Sequence, residues 1–512
     1  MSSTVWIIIA FACYLLGMLL IGASYMKKTK NSEDFFLGGR GLSGWVAALS
    51  AQASDMSGWL LMGLPGAVYA LGTGQIWIAV GLFIGTALNW IFVAKRLRRY
   101  TIRANNSLTL PKYLENRFHD KHRILLLISS VAILIFFLVY TASGLAAGGK
   151  LFNSVFGLDY KICLTIGTVV ILSYTFMGGF MAVCVTDFVQ GLLMLIGVIT
   201  VPIIAFMLVG AGNVMDNITA TGVEAKAFFD PITSADGSSY SFVDIISQLG
   251  WALGYFGMPH IIVRFMAIKN EKEIKKSRFI GIGWCALSLV FACIIGIVGR
   301  AYLPLLEGSN TEKVFIEMIQ KVFTDDIGIA FIGGIFLCGI LAAIMSTADS
   351  QLLVTASSVS EDIYHSVINK KASSKTVLLV SRLTVIAVAV IAYLIALDPD
   401  SSVMGLVSDA WAGLGASFGP IVLMSLYWKR TNIAGAVAGI ASGAVTVIVW
   451  DYIKFGGKTL AESTGLYSLV IGFGISLAAI IIASLCTKAP GEEILKEFSD
   501  VQNGIDCGCD DA

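Results

Sequence analysis

Residues 50 to 66, SAQASDMSGWLLMGLPG, combine oxygen-rich side chains with residues that weaken a helix, inside an apolar part of the chain. The polar side chains are those of Gln52, Ser54, Asp55 and Ser57. The proline removes a backbone donor and the glycines favour an unwound chain, so free carbonyl oxygens are predicted here. A proline kink that tolerates a carboxylate is the alternative, but a kink seldom needs a carboxylate, an amide and two hydroxyls together. The pattern therefore indicates a binding site in a broken helix.

A second group of oxygen atoms is predicted in GILAAIMSTADSQLL, residues 339 to 353. Ala343, Ser346 and Thr347 are spaced i, i+3 and i+4, so a helix places one carbonyl and two hydroxyls on a common face. A hard monovalent cation prefers such neutral oxygens, and small side chains let another helix approach closely. Hydroxyls bonded to their own helix are the alternative, and they would be favoured for an isolated Ser-Thr pair. The oxygen-rich break favours a shared cation site.

The chain as a whole has the composition of a membrane protein. Of its 512 residues, 56% are hydrophobic and 13% charged, and the mean hydropathy is +0.81. Soluble proteins carry about 25% charged residues, and a membrane helix needs roughly 20 apolar residues. Thirteen segments qualify, at about 4–25, 43–71, 75–94, 124–150, 159–178, 179–209, 241–267, 277–304, 326–365, 375–397, 402–428, 432–454 and 464–486.

Ionisable side chains inside these segments are functional candidates, because each costs at least about 2.5 kcal/mol at the bilayer centre. We assign no role to Asp349 and Asp409, for which solvation, pairing with an arginine and control of ion access are all open. The full set is Asp55, Asp187, Asp349 and Asp409, with Arg264, Arg300 and Arg382 nearer to the predicted segment ends.

The basic residues indicate the orientation of the chain in the membrane. Alternate connections carry the clusters MKKTK, KRLRRYTIR, IKNEKEIKKSR, NKKASSK and WKR, whereas the intervening connections are poor in Lys and Arg. The positive-inside rule then places the amino terminus outside and the carboxyl terminus inside. We read the basic clusters as topology and lipid contacts, not as nucleic-acid binding. We predict one transmembrane domain at 1–486 and a disordered cytoplasmic tail at 487–512.

A short internal repeat predicts how this domain is organised. GWLLMGLP at 58–65 and GWALGYFGMP at 250–259 both place Gly-Trp ahead of glycine and proline, in segments of opposite predicted direction. That layout is typical of an inverted repeat whose first helices are broken at the midplane. We predict an all-α polytopic fold with an extra helix at 4–25, a core at about 43–209 and 241–428, and peripheral helices at about 432–486.

Several classes of chemistry lack support in the sequence. The nine cysteines and four histidines show no ligand spacing. Because nucleotide-binding and hydrolase motifs are absent from the sequence, we expect neither an enzyme nor an organic cofactor. A channel or a membrane sensor is the alternative of another class, although a channel normally repeats a filter motif and a sensor carries a large output domain.

Four motifs, in order along the chain, resemble the sodium/solute symporter family and most nearly its bacterial sodium/proline symporters. They are SAQASDMSGWLLMGLPGAVY, YTFMGGFMAVCVTDFVQG, GWALGYFGMPHIIVRFMA and ILAAIMSTADSQLL. The resemblance implies a leucine-transporter-like fold of thirteen helices in a bacterial cytoplasmic membrane, which imports L-proline with Na⁺ as coupling ion. Another small solute, or coupling to protons, is the alternative within the family. The oligomeric state is left open.

The resemblance also implies roles for particular residues. Asp55 would offset the charge of the ion, Asp187 would lie on the sodium path, and Arg40 would take part in coupling. A polar helix end is the alternative for Asp187, a membrane anchor for Arg40, and a packing stripe for Trp251 and Tyr255. The implied sodium ligands are Ala53, Met56, Ala343, Ser346 and Thr347, and the implied substrate contacts are Ser57, Gly63, Tyr140, Trp251, Tyr255 and Pro259.

Overall fold

A computed structural model describes residues 2–26, 37–175 and 179–504 of the chain. Helices account for nearly all of it, and one small antiparallel hairpin pairs β1 (Lys454–Phe455) with β2 (Lys458–Thr459). The α-helices are α1 (Ser3–Met26), α2 (Gly44–Asp55), α3 (Leu64–Leu71), α4 (Ile76–Leu88), α5 (Ala94–Arg103), α6 (Leu110–Arg117), α7 (Ile124–Phe156), α8 (Tyr160–Thr175), α9 (Phe180–Val209), α10 (Val214–Ala220), α11 (Ala225–Phe228), α12 (Phe242–Leu249), α13 (Pro259–Ala267), α14 (Glu271–Tyr302), α15 (Val314–Gln320), α16 (Ala330–Ser357), α17 (Ser374–Ile395), α18 (Val403–Tyr427), α19 (Ile433–Tyr452), α20 (Leu460–Thr464), α21 (Ser468–Cys486) and α22 (Glu492–Asn503).

Within the described residues, nine shorter turns of other helical types join these helices. The 3-10 turns are Gly38–Arg40, Thr73–Gln75, Ala211–Asn213, Gly250–Gly257 and Gly308–Lys313, and the π turns are Asn89–Val93, Trp59–Gly63, Lys321–Asp326 and Ser358–Ile368.

Ten continuous helices in the described residues are long and apolar enough to cross a membrane. Eight are α1, α7, α9, α14, α17, α18, α19 and α21, and two are continued by 3-10 or π turns, Thr73–Arg103 and Ala330–Ile368. The other three predicted spans are shorter or interrupted. The segment at 159–178 contains the shorter α8, and residues 176–178 lie outside the described part. The segments at 43–71 and 241–267 are each divided into two helices. The count of thirteen spans and the orientation of the termini stay predictions.

The first interruption follows α2 and lies at Met56 and Ser57. Met56 has φ −85° and ψ 80°, which is outside helical geometry. The chain then turns through the wide π turn Trp59–Gly63 into α3. Pro65, which the sequence predicts as the breaking residue, instead lies in the first turn of α3, where its missing N–H costs little. The break is therefore made by the polar run and not by the proline.

The second interruption divides α12 from α13 by the 3-10 turn Gly250–Gly257 and the extended residue Met258. As in the first break, the following helix carries a proline in its first turn, here Pro259. Glycine is required at position 254, because a Cβ there would lie 2.0 Å from the Trp411 Nε1 atom of α18. The shared order of helix, break and proline-led helix agrees with the predicted repeat.

The broken helix α2 lies at the centre of the bundle. It contacts α9, α13, α14 and α16, and every residue from Ala47 to Asp55 is buried. Most of α16 is buried as well. The extra helix α1 packs outside this centre, on α9 and α16. The two oxygen-rich segments of the sequence are therefore neighbours in the core.

The C-terminal residues 492–503 form the helix α22, so the predicted disorder of the tail is wrong for this segment. Phe498 and Val501 are buried against the bundle, and the Arg117 guanidinium lies 5.3 Å from the centre of the Phe498 ring. Asp500 pairs with Arg103 at 3.0 Å. An amphipathic stripe on α22 thus docks onto the bundle. The last two of the nine cysteines, in the sequence CGC at 507–509, lie outside the described residues.

We predict that Phe498→Ala releases α22. Burial of a phenylalanine stabilises a core by about 3–5 kcal/mol, and α22 has few other apolar contacts. Hydrogen–deuterium exchange should become faster in 492–503 and stay unchanged in α16. The exposed Lys496→Ala on the same helix is the control. Unchanged protection of α22 in Phe498→Ala would contradict this docking mode.

Candidate functional site

The contact between α2 and α16 brings together oxygen atoms that the sequence predicts as sodium ligands. The Ala53 carbonyl accepts hydrogen bonds from Ser346 Oγ at 2.7 Å and from Thr347 Oγ1 at 3.4 Å. The Ser346 hydroxyl also lies 3.2 Å from the Ala343 carbonyl. Met56 is the first residue beyond α2, three positions after Ala53. Two carbonyls and two hydroxyls therefore meet at one point, a donor set suited to a hard monovalent cation.

Asp55 joins the two breaks. Its carboxylate is 1% exposed, and its Oδ2 atom accepts a hydrogen bond of 2.7 Å from the Tyr255 hydroxyl. Its backbone carbonyl accepts from Trp59 Nε1 at 2.9 Å. Tyr255 belongs to the second break, and its own carbonyl is held by Asn89 Nδ2 at 2.9 Å. The deepest carboxylate of the first break is thus fixed by an aromatic residue of the second.

Aromatic rings cover the second break. The Trp251 ring stacks on Tyr467 at a centroid distance of 5.4 Å and on Trp411 at 6.3 Å. Tyr255 meets Trp411 edge-on at 5.0 Å, and Trp411 Nε1 donates to the Trp251 carbonyl at 2.9 Å. Trp251 and Tyr255 thus do pack against neighbours, while the Tyr255 hydroxyl reaches Asp55 in the first break.

The other predicted substrate contacts are distributed around the breaks. The Tyr140 hydroxyl lies beside the Ser57 side chain, and the Tyr140 ring is 5.9 Å from the His260 ring. Gly63 lies against Met404, the second residue of α18. Pro259 begins α13 and lines a narrow cavity with Arg264. The structure therefore brings Ser57 and Tyr140 together directly, whereas Gly63 contacts α18 and Pro259 lines the narrow cavity beside Arg264.

A buried ionic cluster lies one to two turns from the α2–α16 contact. Arg264 donates to Asp187 Oδ2 at 3.1 Å and to Ser350 Oγ at 2.5 Å, and Ser50 donates to the same Asp187 oxygen at 2.7 Å. Asp349 lies beside Asp187 and Arg264. Arg264 lies in the last turn of α13, near the segment end as predicted, but it is only 1% exposed. Asp187 is fully buried in this cluster, which does not fit the solvated helix end considered as its alternative.

Arg40 connects three segments and is more than a membrane anchor. It has a left-handed backbone, with φ 52°, and its guanidinium donates to Asn106 Oδ1 at 2.8 Å. Further bonds reach the carbonyls of Met266 at 2.5 Å and Ser107 at 3.0 Å, and Thr101 Oγ1 at 3.2 Å. The Arg40 side chain therefore links the segment that precedes α2 with the end of α13.

Asp409 accepts a hydrogen bond of 2.6 Å from the Tyr452 hydroxyl. It belongs to α18, whose Trp411 covers the second break. This pairing gives Asp409 a partner on α19 and assigns it no part in the ion or substrate site.

Comparison with known proteins assigns the chain to a family. The model of the family described as "Sodium:solute symporter family" matches residues 35–443. The chain belongs to this family. It is 46% identical over 489 residues to the high-affinity proline transporter PutP of Bacillus subtilis (strain 168), covering 95% of this chain and 99% of that one. It is 45% identical over 500 residues to the sodium/proline symporter of Escherichia coli (strain K12), covering 96% and 95%.

Solved structures show the same fold at low sequence identity. A Na⁺-coupled sialic acid symporter, in its substrate-bound outward-open state, has a TM-score of 0.75 and 23% identity and covers 95% of this chain and 99% of that one. The nucleobase-cation symporter Mhp1, in a closed conformation, has a TM-score of 0.52 and 12% identity, with 92% and 100% covered. The predicted fold class is confirmed as a mostly helical, multi-pass membrane transporter with leucine-transporter-like fold neighbours.

Several buried polar atoms at the breaks of this family member have no hydrogen-bond partner among the described residues. They are Gln52 Oε1, Asp55 Oδ1, Tyr140 Oη and both ring nitrogens of His260. Buried polar groups are normally paired, so these unpaired atoms of α2, α7 and α13 are candidates for contacts with a ligand. His260 was not predicted as a site residue, although it lies directly after Gly257, Met258 and Pro259 of the second break. The covering rings of Trp411 and Tyr467 were not predicted either; the only signal for Trp411 is its place in the polar and glycine-containing sequence DAWAG at 409–413.

We predict that Arg264→Met lowers the thermal stability of the purified protein, because removing one partner leaves Asp187 buried and uncompensated. Breaking a buried pair costs about 3–5 kcal/mol, whereas removing both charges is often close to neutral. Arg264→Met with Asp187→Asn should therefore recover most of the lost melting temperature. The exposed Arg382→Met is the control. A double variant as unstable as Arg264→Met would refute a dominant charge pair.

Proposed function

We propose that this protein is a sodium-coupled symporter that carries L-proline into a bacterial cell across the cytoplasmic membrane by alternating access. The observation that carries the proposal is the broken helix α2, whose carbonyls meet the hydroxyls of α16 on one side while Asp55 meets Tyr255 on the other. The relatives named as proline transporters support the choice of solute. Thirteen spans, with the amino terminus outside and a transmembrane domain at 1–486, complete the proposal.

Na⁺ is proposed to bind at the α2–α16 contact. Its ligands would be the carbonyls of Ala53, Met56 and Ala343 and the hydroxyls of Ser346 and Thr347. The Asp55 carboxylate would offset the charge of the ion, since a cation in a low-dielectric interior needs compensation. Because the ligands come from two helices, ion binding would hold α2 against α16.

The solute is proposed to bind between the two breaks. The aromatic faces of Trp251, Tyr255 and Tyr140 suit the apolar ring of proline, and the exposed backbone at the breaks suits its charged groups. Ser57 would link the solute to the ion, since it follows Asp55 by two residues. Gly63 and Pro259 would complete the walls.

Coupling follows from the shared helix. Ion binding that orders α2 would raise the affinity for proline, and proline would raise the affinity for sodium by the same factor. The membrane potential contributes about 2.3 kcal/mol per charge per 100 mV.

Arg40 would act in coupling. Its side chain is hydrogen-bonded near the ends of α5 and α13, and these bonds must change when the site opens on the side where Arg40 lies. Asp187 would receive the ion on its way to the cytoplasm.

Uptake of radiolabelled L-proline into proteoliposomes tests the function. An inward sodium gradient should drive accumulation, and dissipating the gradient should abolish it. Asp55→Asn keeps the shape of the side chain and removes its charge, so this variant should insert normally and show no sodium-stimulated uptake. Competition by other amino acids tests the alternative of another solute. Uptake that is independent of sodium would refute symport, and accumulation driven by a proton gradient would favour the alternative coupling ion.

The sodium site is tested by Ser346→Ala and Thr347→Ala. Each variant removes one ligand oxygen, and a bond to a charged group contributes about 1.5–3 kcal/mol. The sodium concentration for half-maximal uptake should therefore rise about tenfold or more. Ser417→Ala is the control, because the hydroxyl of this buried serine of α18 donates to a carbonyl of its own helix, that of Gly413, at 2.6 Å. An unchanged sodium dependence in both variants would contradict the proposed ligands.

A further inference from the structure

His260 is a buried imidazole that the sodium and substrate assignments leave unused. It is fully buried, and neither ring nitrogen has a hydrogen-bond partner among the residues that the structure describes. Its ring meets Phe137 at a centroid distance of 5.5 Å and Tyr140 at 5.9 Å, edge-on in both cases. A ring placed only for packing would leave two polar atoms unsatisfied, at a cost of about 1–3 kcal/mol each.

The protein groups around His260 do not supply the missing partners. Arg264 is a cation that donates to the His260 carbonyl at 2.6 Å, and a guanidinium has no acceptor for a ring N–H. The Ser54 backbone lies near the ring, but neither ring nitrogen makes a hydrogen bond of ordinary geometry to it. A neutral imidazole carries one N–H and one lone pair, so the N–H of this ring is left to donate to an acceptor on a ligand.

The backbone at the start of α13 also favours the binding of an anion beside His260. Pro259 has no N–H, so the first backbone donor of α13 is that of His260. The amino end of a helix carries partial positive charge and favours carboxylates. The Tyr140 hydroxyl, also buried and without a partner in the described residues, lies on α7 facing the same ring. Two side chains and a helix terminus thus offer hydrogen-bond donors at one place.

Unpartnered acceptors are present on the broken helix α2. Asp55 Oδ1 and Gln52 Oε1 are buried on α2, and both are without partners among the described residues. An amino acid carries one acceptor group and one donor group, so it would satisfy both sets at once. The carboxylate would face His260 and Tyr140, and the amine would face α2.

We propose that His260, together with Tyr140, forms the subsite that binds the carboxylate of the transported amino acid. The inference rests on the proposed function, because it assumes that the site between the breaks takes an amino acid. It adds to that function a residue that selects for the free carboxylate and sets the orientation of the solute.

Competition in proteoliposomes tests this subsite. Unlabelled L-proline and L-prolinamide, which lacks the carboxylate, are compared as inhibitors of sodium-driven proline uptake. In the unmodified protein, proline should inhibit at a much lower concentration than prolinamide. In His260→Phe the KM for proline should rise about tenfold or more, whereas the prolinamide concentration that gives half-maximal inhibition should change little. The ratio of the inhibitory concentrations of prolinamide and proline should therefore fall towards one. Tyr140→Phe should shift the ratio in the same direction.

Two further variants keep the result interpretable. His260→Asn preserves a side-chain N–H, so it should retain part of the discrimination, and it replaces His260→Phe if that variant does not insert. His122→Phe changes an exposed histidine and should alter nothing. An unchanged ratio, or equal weakening of both inhibitors, would overturn the subsite. Absence of sodium-driven uptake in the unmodified protein would instead refute the proposed function.

Discussion

The structure depends on one constraint: an interrupted helix inside an apolar bundle must find partners for its backbone. Free carbonyls in hydrocarbon cost several kcal/mol each. The protein meets this cost by packing α2 against the hydroxyl-bearing face of α16, so that Ala53 is held by Ser346 and Thr347. The same atoms are the ligands of the proposed cation site. One contact would therefore meet both the requirement of folding and the requirement of ion binding.

Close packing around the second break follows from the same constraint. Trp411 lies so near the backbone of the 3-10 turn that only glycine fits at position 254, and its indole N–H satisfies the Trp251 carbonyl. Some of the buried polar atoms without partners among the described residues belong to the two breaks and to the helices beside them. A site that binds a polar solute needs unpaired donors and acceptors, because polar groups that are already hydrogen-bonded within the protein are not free to bond to a ligand.

Particular elements show why some predictions held and others failed. The interruption after Asp55 was predictable, because the polar run has no stable place in a continuous membrane helix. The role given to Pro65 was wrong, because a proline is tolerated in the first turn of a new helix. The burial of Arg264 was missed, since its partners Asp187 and Ser350 lie 77 and 86 residues away. The docking of α22 was missed for the same reason, because its apolar stripe packs against Arg117 and Tyr100, which are distant in sequence.

The sequence by itself determined the membrane setting, the two broken segments and the oxygen-bearing face of α16. These features follow from composition and from spacing along one helix, which are local properties. Only the tertiary structure decided which oxygens meet, that Tyr255 donates a hydrogen bond to Asp55, that Arg264 pairs with Asp187, and that neither ring nitrogen of His260 has a hydrogen-bond partner among the described residues. These are contacts between distant segments, and they are fixed by how helices pack and not by the preferences of any single helix.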